Sequence, residues 1–464
     1  MQWSAFLRRS PLRGRAQHQT YDTAMTRDPV PSSAREGSLL TLAVLALVAG
    51  AAAGLVGAVF RLTLAQADQL RIILISWAHG QAAVGFLILV ITCGAATGLA
   101  AWLVRRFSPQ ASGSGIPHAE AVLHGQLPPA PYGLAPVKFV GGVLAIGSGL
   151  ALGREGPSVQ MGASIAVFIG RMFGCNRADW RVLLAAGAGA GLATAFNAPI
   201  AGAVFVLEEL VQRFEHRIAI AALAASATAI AVARVFLGEA SDFHVAMLNY
   251  PTAEVQPLFY VLGGIAGLLA IAYNRSLLAT LAAAERLTRL PVELRAGLIG
   301  GAVGTLAWFA PALVGGGDEI TARTLLGGES LVVVLVAFLL RFGLGAISYA
   351  ASTPGGLFAP LLVLGAQSGL LFGMACRAMF PGLDIQPVGF AVVGMAAFFT
   401  GVVRAPLTGI VLITEMTANV TMLLPMLAAC FTAMLVPTLL RNAPIYDSLR
   451  ELTIQRELGD TNNE

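Results

Sequence analysis

GREGPSVQMG, residues 153–162, sets an arginine and a glutamate side by side inside a long apolar run. Opposite charges between glycines and a proline are costly in hydrocarbon, so the stretch calls for a functional reason. Its frame recurs 203 residues later as GLFAPLLVLG (356–365), where Gly153, Pro157 and Gly162 fall on Gly356, Pro360 and Gly365. A second block follows each. FNAPIAGAVFVLEE (196–209) lines up with VRAPLTGIVLITEM (403–416) at an offset of 207, matching Ala198-Pro199 to Ala405-Pro406, Gly202 to Gly409 and Glu208 to Glu415. The difference between the offsets is one small indel, and the shared order of the blocks marks an internal duplication.

Each motif has the form Gly-x-x-x-Pro followed by an apolar helical run. Proline suits the first turn of a helix, where its missing N–H costs nothing, and glycine permits a sharp turn and close approach to the backbone. Gly153–Pro157 and Gly356–Pro360 therefore read as two helix starts at membrane depth. Their free N–H groups and positive dipole ends suit an anion. Unpaired backbone is tolerated in a bilayer only where it faces protein or a watery cavity, so both starts are expected to converge on one anion site. GSGIP (113–117) gives a third start, with the Ser114 hydroxyl as an added donor. Alone, Ser114 reads as a plain N-cap; within the set, anion coordination is the better reading. Glu155 then becomes a tethered competitor for the substrate. Ionised, it occupies the anion site; protonated, it loses its attraction to the dipole and swings away.

The chain around these motifs is apolar. Of 464 residues, 56% are hydrophobic and 12% charged, against about 25% charged in a soluble protein. Apolar stretches recur at Leu39–Phe60, Ala82–Val104, Val182–Leu207, Ile218–Ala233, Leu258–Tyr273, Leu331–Ser352, Leu357–Met374 and Thr421–Leu440. Several reach the roughly 20 residues that cross a bilayer as a helix. The expectation is an all-α, multi-pass integral membrane protein. Its segments are a polar tail (1–37), membrane repeat 1 (38–240), membrane repeat 2 (241–450) and a short polar tail (451–464).

Residues 1–37 are rich in arginine and lack the apolar core and cleavage site of a signal peptide, so they read as a retained cytoplasmic tail. The first span then leads outward and the second back, which puts Arg105 and Arg106 inside, and both termini are expected in the cytoplasm. The net charge of +4 reports this topology and not a nucleic-acid partner. Cys93, Cys175, Cys376 and Cys430 are scattered without CxxC spacing, so neither a disulfide framework nor a metal site is indicated. No cofactor is implied.

GSGIP, GREGP, GLFAP, FNAP and RAPLTG together resemble the CLC family of chloride channels and chloride/proton exchangers, from about residue 40 to 450. The resemblance implies a fold of two inverted helical repeats, with broken helices at the anion site. It also implies a homodimer with a separate pore in each subunit. Substrates would be chloride and protons, and the protein would be a transporter and not an enzyme. Chloride would be bound by the hydroxyls of Ser114 and Tyr446 and the backbone of Leu357 and Phe358, with Gly113, Gly156 and Glu155 at the same site. Glu155 would be the outer gate and proton carrier. The serine of GSGIP resembles the chloride-selective branch of the family, which has proline there in nitrate-preferring members.

On sequence alone, Glu208 and Glu209 read as solvated helix-end charges, with Glu209 paired to Arg213 at i,i+4. The resemblance promotes Glu209 to the inner proton-transfer acid and Glu208 to an aid on the proton path, which favours a coupled exchanger over a passive, glutamate-gated channel. Lys138, the sole lysine, would raise the anion concentration near the pore. Glu415 reads as a structural charge, and His118, where many relatives have glutamate, as a spectator. The short C-terminal tail carries no regulatory domain and resembles prokaryotic forms, hence a bacterial inner (plasma) membrane. A sodium-coupled carrier of anionic solutes and an intramembrane serine protease are weaker readings; the latter lacks GxSxG and HExxH.

Overall fold

The structure, a computed structural model, describes residues 38–461 except 246–247 and 288. The arginine-rich stretch 1–37, expected to be a cytoplasmic tail, lies outside the described residues. The described chain is helical throughout, with seventeen α-helices and no strand longer than an isolated bridge. The first repeat comprises α1 (Leu39–His79), α2 (Ala82–Phe107), α3 (Ile116–Leu123), α4 (Leu134–Gly147), α5 (Glu155–Met172), α6 (Arg177–Phe196), α7 (Pro199–Phe205) and α8 (His216–Leu237). The second comprises α9 (Gln256–Arg286), α10 (Val292–Phe309), α11 (Asp318–Leu326), α12 (Leu331–Tyr349), α13 (Phe358–Met379), α14 (Pro387–Val403), α15 (Pro406–Thr417) and α16 (Leu423–Leu439). Helix α17 (Ile445–Thr461) follows. Six of these helices are long and apolar enough to cross a membrane.

Two sequence boundaries shift. The apolar stretch Val182–Leu207 is broken, because α6 stops at Phe196, Asn197 turns left-handed at φ 50°, and Pro199 opens α7. Proline has no N–H to continue the ladder, so the break is built into the sequence. Its counterpart repeats the device, with Arg404 at φ 77° and Pro406 opening α15. The tail boundary at residue 450 falls inside α17, which carries Tyr446 in its first turn.

The repeats pack alike and against each other. Helix α5 lies on α6 as α13 lies on α14, and α1 lies on α8 as α9 lies on α16. Small residues make these crossings close. A Cβ built on Gly187 would lie 2.4 Å from the carbonyl of Gly162, and one on Gly394 would lie 2.4 Å from that of Gly365. Close backbone approach of this kind is how helices associate where no hydrophobic drive exists between them. Across the molecule, α2 packs on its own counterpart α10. Corresponding residues Gly153 and Gly356 exchange backbone hydrogen bonds of 2.8 and 2.7 Å as an antiparallel bridge. Equivalent residues meeting equivalent residues is what a two-fold axis between the halves produces. The fold is thus two inverted repeats, and the axis passes beside the opening motif.

Candidate anion pathway

The site grows from the loops that precede α3, α5 and α13. Gly113 donates its N–H to Thr353 O at 3.0 Å and accepts from Gly355 N at 3.1 Å, which ties GSGIP to the loop before GLFAP. Gly115 caps α3 in the left-handed region at φ 84°, against the side chain of Gln160. A side chain at Gly156 would meet the backbone and hydroxyl of Ser114 at 2.5–2.6 Å. The absence of a Cβ there lets Ser114 close onto the head of α5. The three predicted helix starts therefore come together.

Arg154 and Glu155 diverge. Arg154 donates to Ala195 O at 2.8 Å, to Asp318 at 2.7 Å and to Asp242 at 3.1 Å, while Arg61 donates to the other Asp242 oxygen at 2.8 Å. Glu155 turns inward, fully buried, and its Oε1 accepts the Phe358 N–H at 2.6 Å. Its carboxylate also takes its own backbone N–H, and it lies against Gly356. The other oxygen, Oε2, has no hydrogen-bond partner among the described residues. A carboxylate thus sits at the shared heads of α5 and α13, where the backbone donors favour negative charge.

The hydroxyls of Ser114 and Tyr446 face one another, both buried. The Tyr446 ring lies 6.0 Å from that of Phe358, which in turn packs on Phe196, Phe205 and Phe399. Leu357 is the residue before α13 and Phe358 its first. Gly113, Ser114, Glu155, Gly156, Leu357, Phe358 and Tyr446 are therefore brought to one place. From the other side a cavity of about 610 Å³ leads to Gly113 and Ser114, lined also by Arg105, His118 and Arg456.

Lys138 is fully buried, and its Nζ donates to the carbonyls of Ala111 at 3.0 Å and Gly113 at 2.7 Å. It braces the Ser114 loop. His118, in the first turn of α3, is buried in the wall of the cavity, with Nε2 3.9 Å from Glu457. Glu209 does not form the helix-surface pair with Arg213. Residues Val206–Leu210 are a π-turn, which rotates Glu209 inward to 7% exposure while Arg213 stays exposed. Such turns are rare and favour functional positions. Tyr446 lies within electrostatic reach of both Glu155 and Glu209. Glu208 is held on the head of α15, with Leu407 N at 2.9 Å and Thr408 N at 2.6 Å.

Sequence reading missed Tyr349, whose hydroxyl accepts the Ser114 N–H at 3.2 Å. Nothing in its surroundings in the chain distinguishes it. Asp242 and Asp318 were also missed.

The sequence profile of the voltage gated chloride channel family matches residues 95–438. The H(+)/Cl(-) exchange transporter ClcA of Vibrio cholerae serotype O1 is 39% identical over 364 residues, which cover 77% of each chain. The protein of the same name from Salmonella typhi is 34% identical over 460 residues, covering 98% of this chain and 95% of that one. The crystal structure of a slow cyanobacterial Cl−/H+ antiporter superposes with a TM-score of 0.86 at 33% identity, covering 89% of this chain and 98% of the other. With its profile matched over most of its length and this fold beneath it, the chain belongs to the voltage gated chloride channel family, the CLC family.

Proposed function

We propose that the protein exchanges chloride for protons across the membrane, with Glu155 as outer gate and proton carrier and Glu209 as inner proton-transfer acid. The observation that carries this reading is the 2.6 Å hydrogen bond from Phe358 N to Glu155 Oε1. A carboxylate held on the same donors an anion would use is an intrinsic competitor, and protonating it frees the site. Chloride entering by the inner cavity binds between Ser114 and Tyr446, then displaces the protonated Glu155 on its way out. Glu209, buried and within electrostatic reach of Tyr446, receives the proton on the inner side. Proton and chloride share the outer part of the route and diverge below it. Lys138 holds the Ser114 loop and offsets negative charge near the pathway.

The same reading makes the assembly a homodimer in a bacterial inner membrane, with both termini cytoplasmic and one pathway in each protomer. The test is reconstitution in liposomes under an inward chloride gradient, with no pH gradient and the voltage clamped by potassium and valinomycin. Protons should move outward. If chloride flows and no protons move, the protein is a passive channel and the exchanger reading falls.

A further inference from the structure

Glu208 and Glu415 occupy equivalent places in the two repeats, and each reaches across to the other repeat. Glu208 accepts from Leu407 N and Thr408 N, the first free donors of α15. Glu415 accepts from Ile200 N at 3.1 Å and Ala201 N at 2.8 Å, the equivalent donors of α7. Both carboxylates are bidentate, so the two helix heads are capped crosswise by the opposite half. Two differences break the symmetry. Thr408, where the first repeat has Ala201, adds its hydroxyl to Glu208 at 2.7 Å. The π-turn Val206–Leu210 has no equivalent, since α15 runs as regular helix to Thr417, and the residue matching Glu209 is Met416. The more firmly held carboxylate thus adjoins Glu209, which is buried within electrostatic reach of Glu120, Asp447 and Arg450.

We propose that Glu208 is a positioning residue for Glu209. Its carboxylate is anchored across the repeat boundary by α15 and Thr408, and Glu415 is the matching anchor on α7. Anchoring Glu208 on the head of α15 fixes the backbone just before Glu209, and the π-turn then directs the inner acid into the interior. Carrying a proton would set an O–H of Glu208 against N–H donors and break the cap, so the residue is built to hold and not to shuttle.

For its transport readout the proposal rests on the exchange activity above. The discriminating variants leave every acid in the proton route in place. Thr408→Val removes one hydroxyl at constant shape and should lower the protons moved per chloride by about three-fold, the scale of one net hydrogen bond. Its chloride flux reports that the protein is folded. Thr408→Ser should restore the ratio, and Glu415→Gln should lower it in the same direction. If Thr408→Val and Glu415→Gln couple as wild type while Glu208→Gln loses its protons, Glu208 carries protons itself and the proposal is overturned. It is equally overturned if all of these variants keep the wild-type ratio.

If the unmodified protein moves no protons under clamp, the exchanger reading fails alone and thiol labelling still decides this one. Cys93, Cys376 and Cys430 are buried, so Cys175→Ser gives a quiet background for Glu209→Cys. Adding Thr408→Val should speed modification of that thiol by a small methanethiosulfonate about three-fold, by the same reasoning. An unchanged rate would dispose of the positioning role.

Discussion

At the scale of single residues the proposed function turns on Ser114 and Glu155, and each makes a direct prediction. The Ser114 hydroxyl is buried facing Tyr446, on a loop held by Lys138. Ser114→Pro removes the hydroxyl together with the N–H that Tyr349 accepts, and should raise nitrate transport relative to chloride in anion-exchange assays. An unchanged ratio would take Ser114 out of the selectivity filter. For Glu155 the sign follows from charge. Ionised, it competes for the N–H of Phe358; protonated, it does not, so lowering external pH should accelerate transport. Glu155→Ala should keep chloride flux, abolish proton movement and flatten that pH dependence. Proton pumping that survives the substitution would remove Glu155 from the gate. Both residues were legible in the sequence because a polar side chain at a Gly/Pro helix start in an apolar run is costly to bury unless it has a ligand to meet. Tyr349 was not, because its contact with Ser114 N spans 235 residues and leaves no local mark.

Elements matter here through where they begin and how closely they cross. Proline at residues 157, 199, 360 and 406 fixes four helix starts, and the structure has all of them within the first turn. Crossings depend on glycine. Gly162 and Gly187 let α5 and α6 meet backbone to backbone, so α5 can hold Glu155 at a fixed depth. Gly187→Val would drive a side chain into the Gly162 carbonyl, since even a Cβ would lie 2.4 Å away. The expected cost is roughly 1–3 kcal/mol, read as a lower melting temperature in detergent together with slower chloride flux. Unaltered stability would mean that this crossing has slack. The π-turn at Val206–Leu210 could not be foreseen, because VLEEL has the composition of an ordinary helix. Its register is set by the crosswise cap on Glu208 and by burial of Glu209, both properties of the assembled repeats.

The proposed exchange would be a property of the whole molecule, since it needs an acid at each end of one buried route. Glu155 opens α5 beside the two-fold axis, Glu209 lies in the π-turn after α7, and Tyr446 of α17 is within electrostatic reach of both. Glu209→Gln keeps the side-chain shape and removes its titration. Chloride should still pass Ser114 and Tyr446, while chloride-driven proton flux under voltage clamp should disappear. If the variant pumps protons at the wild-type ratio, the inner acid lies elsewhere, and Glu120, buried nearby and paired with Arg450, becomes the residue to test.

By itself the sequence determined the membrane class, the duplication and the Gly/Pro helix starts. These follow from composition and from the local conformational demands of glycine and proline, which act within a few residues whatever the rest of the chain does. Tertiary structure alone decided the direction of each buried charge. Arg154 and Glu155 are adjacent in the chain, yet one leaves for Asp242 and Asp318 and the other for the head of α13. Glu208 and Glu209 are likewise adjacent, yet one caps the opposite repeat and the other turns inward. A buried charge goes where donors or counter-charges await it, and here those partners lie tens to hundreds of residues away, brought within reach only when the two repeats close on each other.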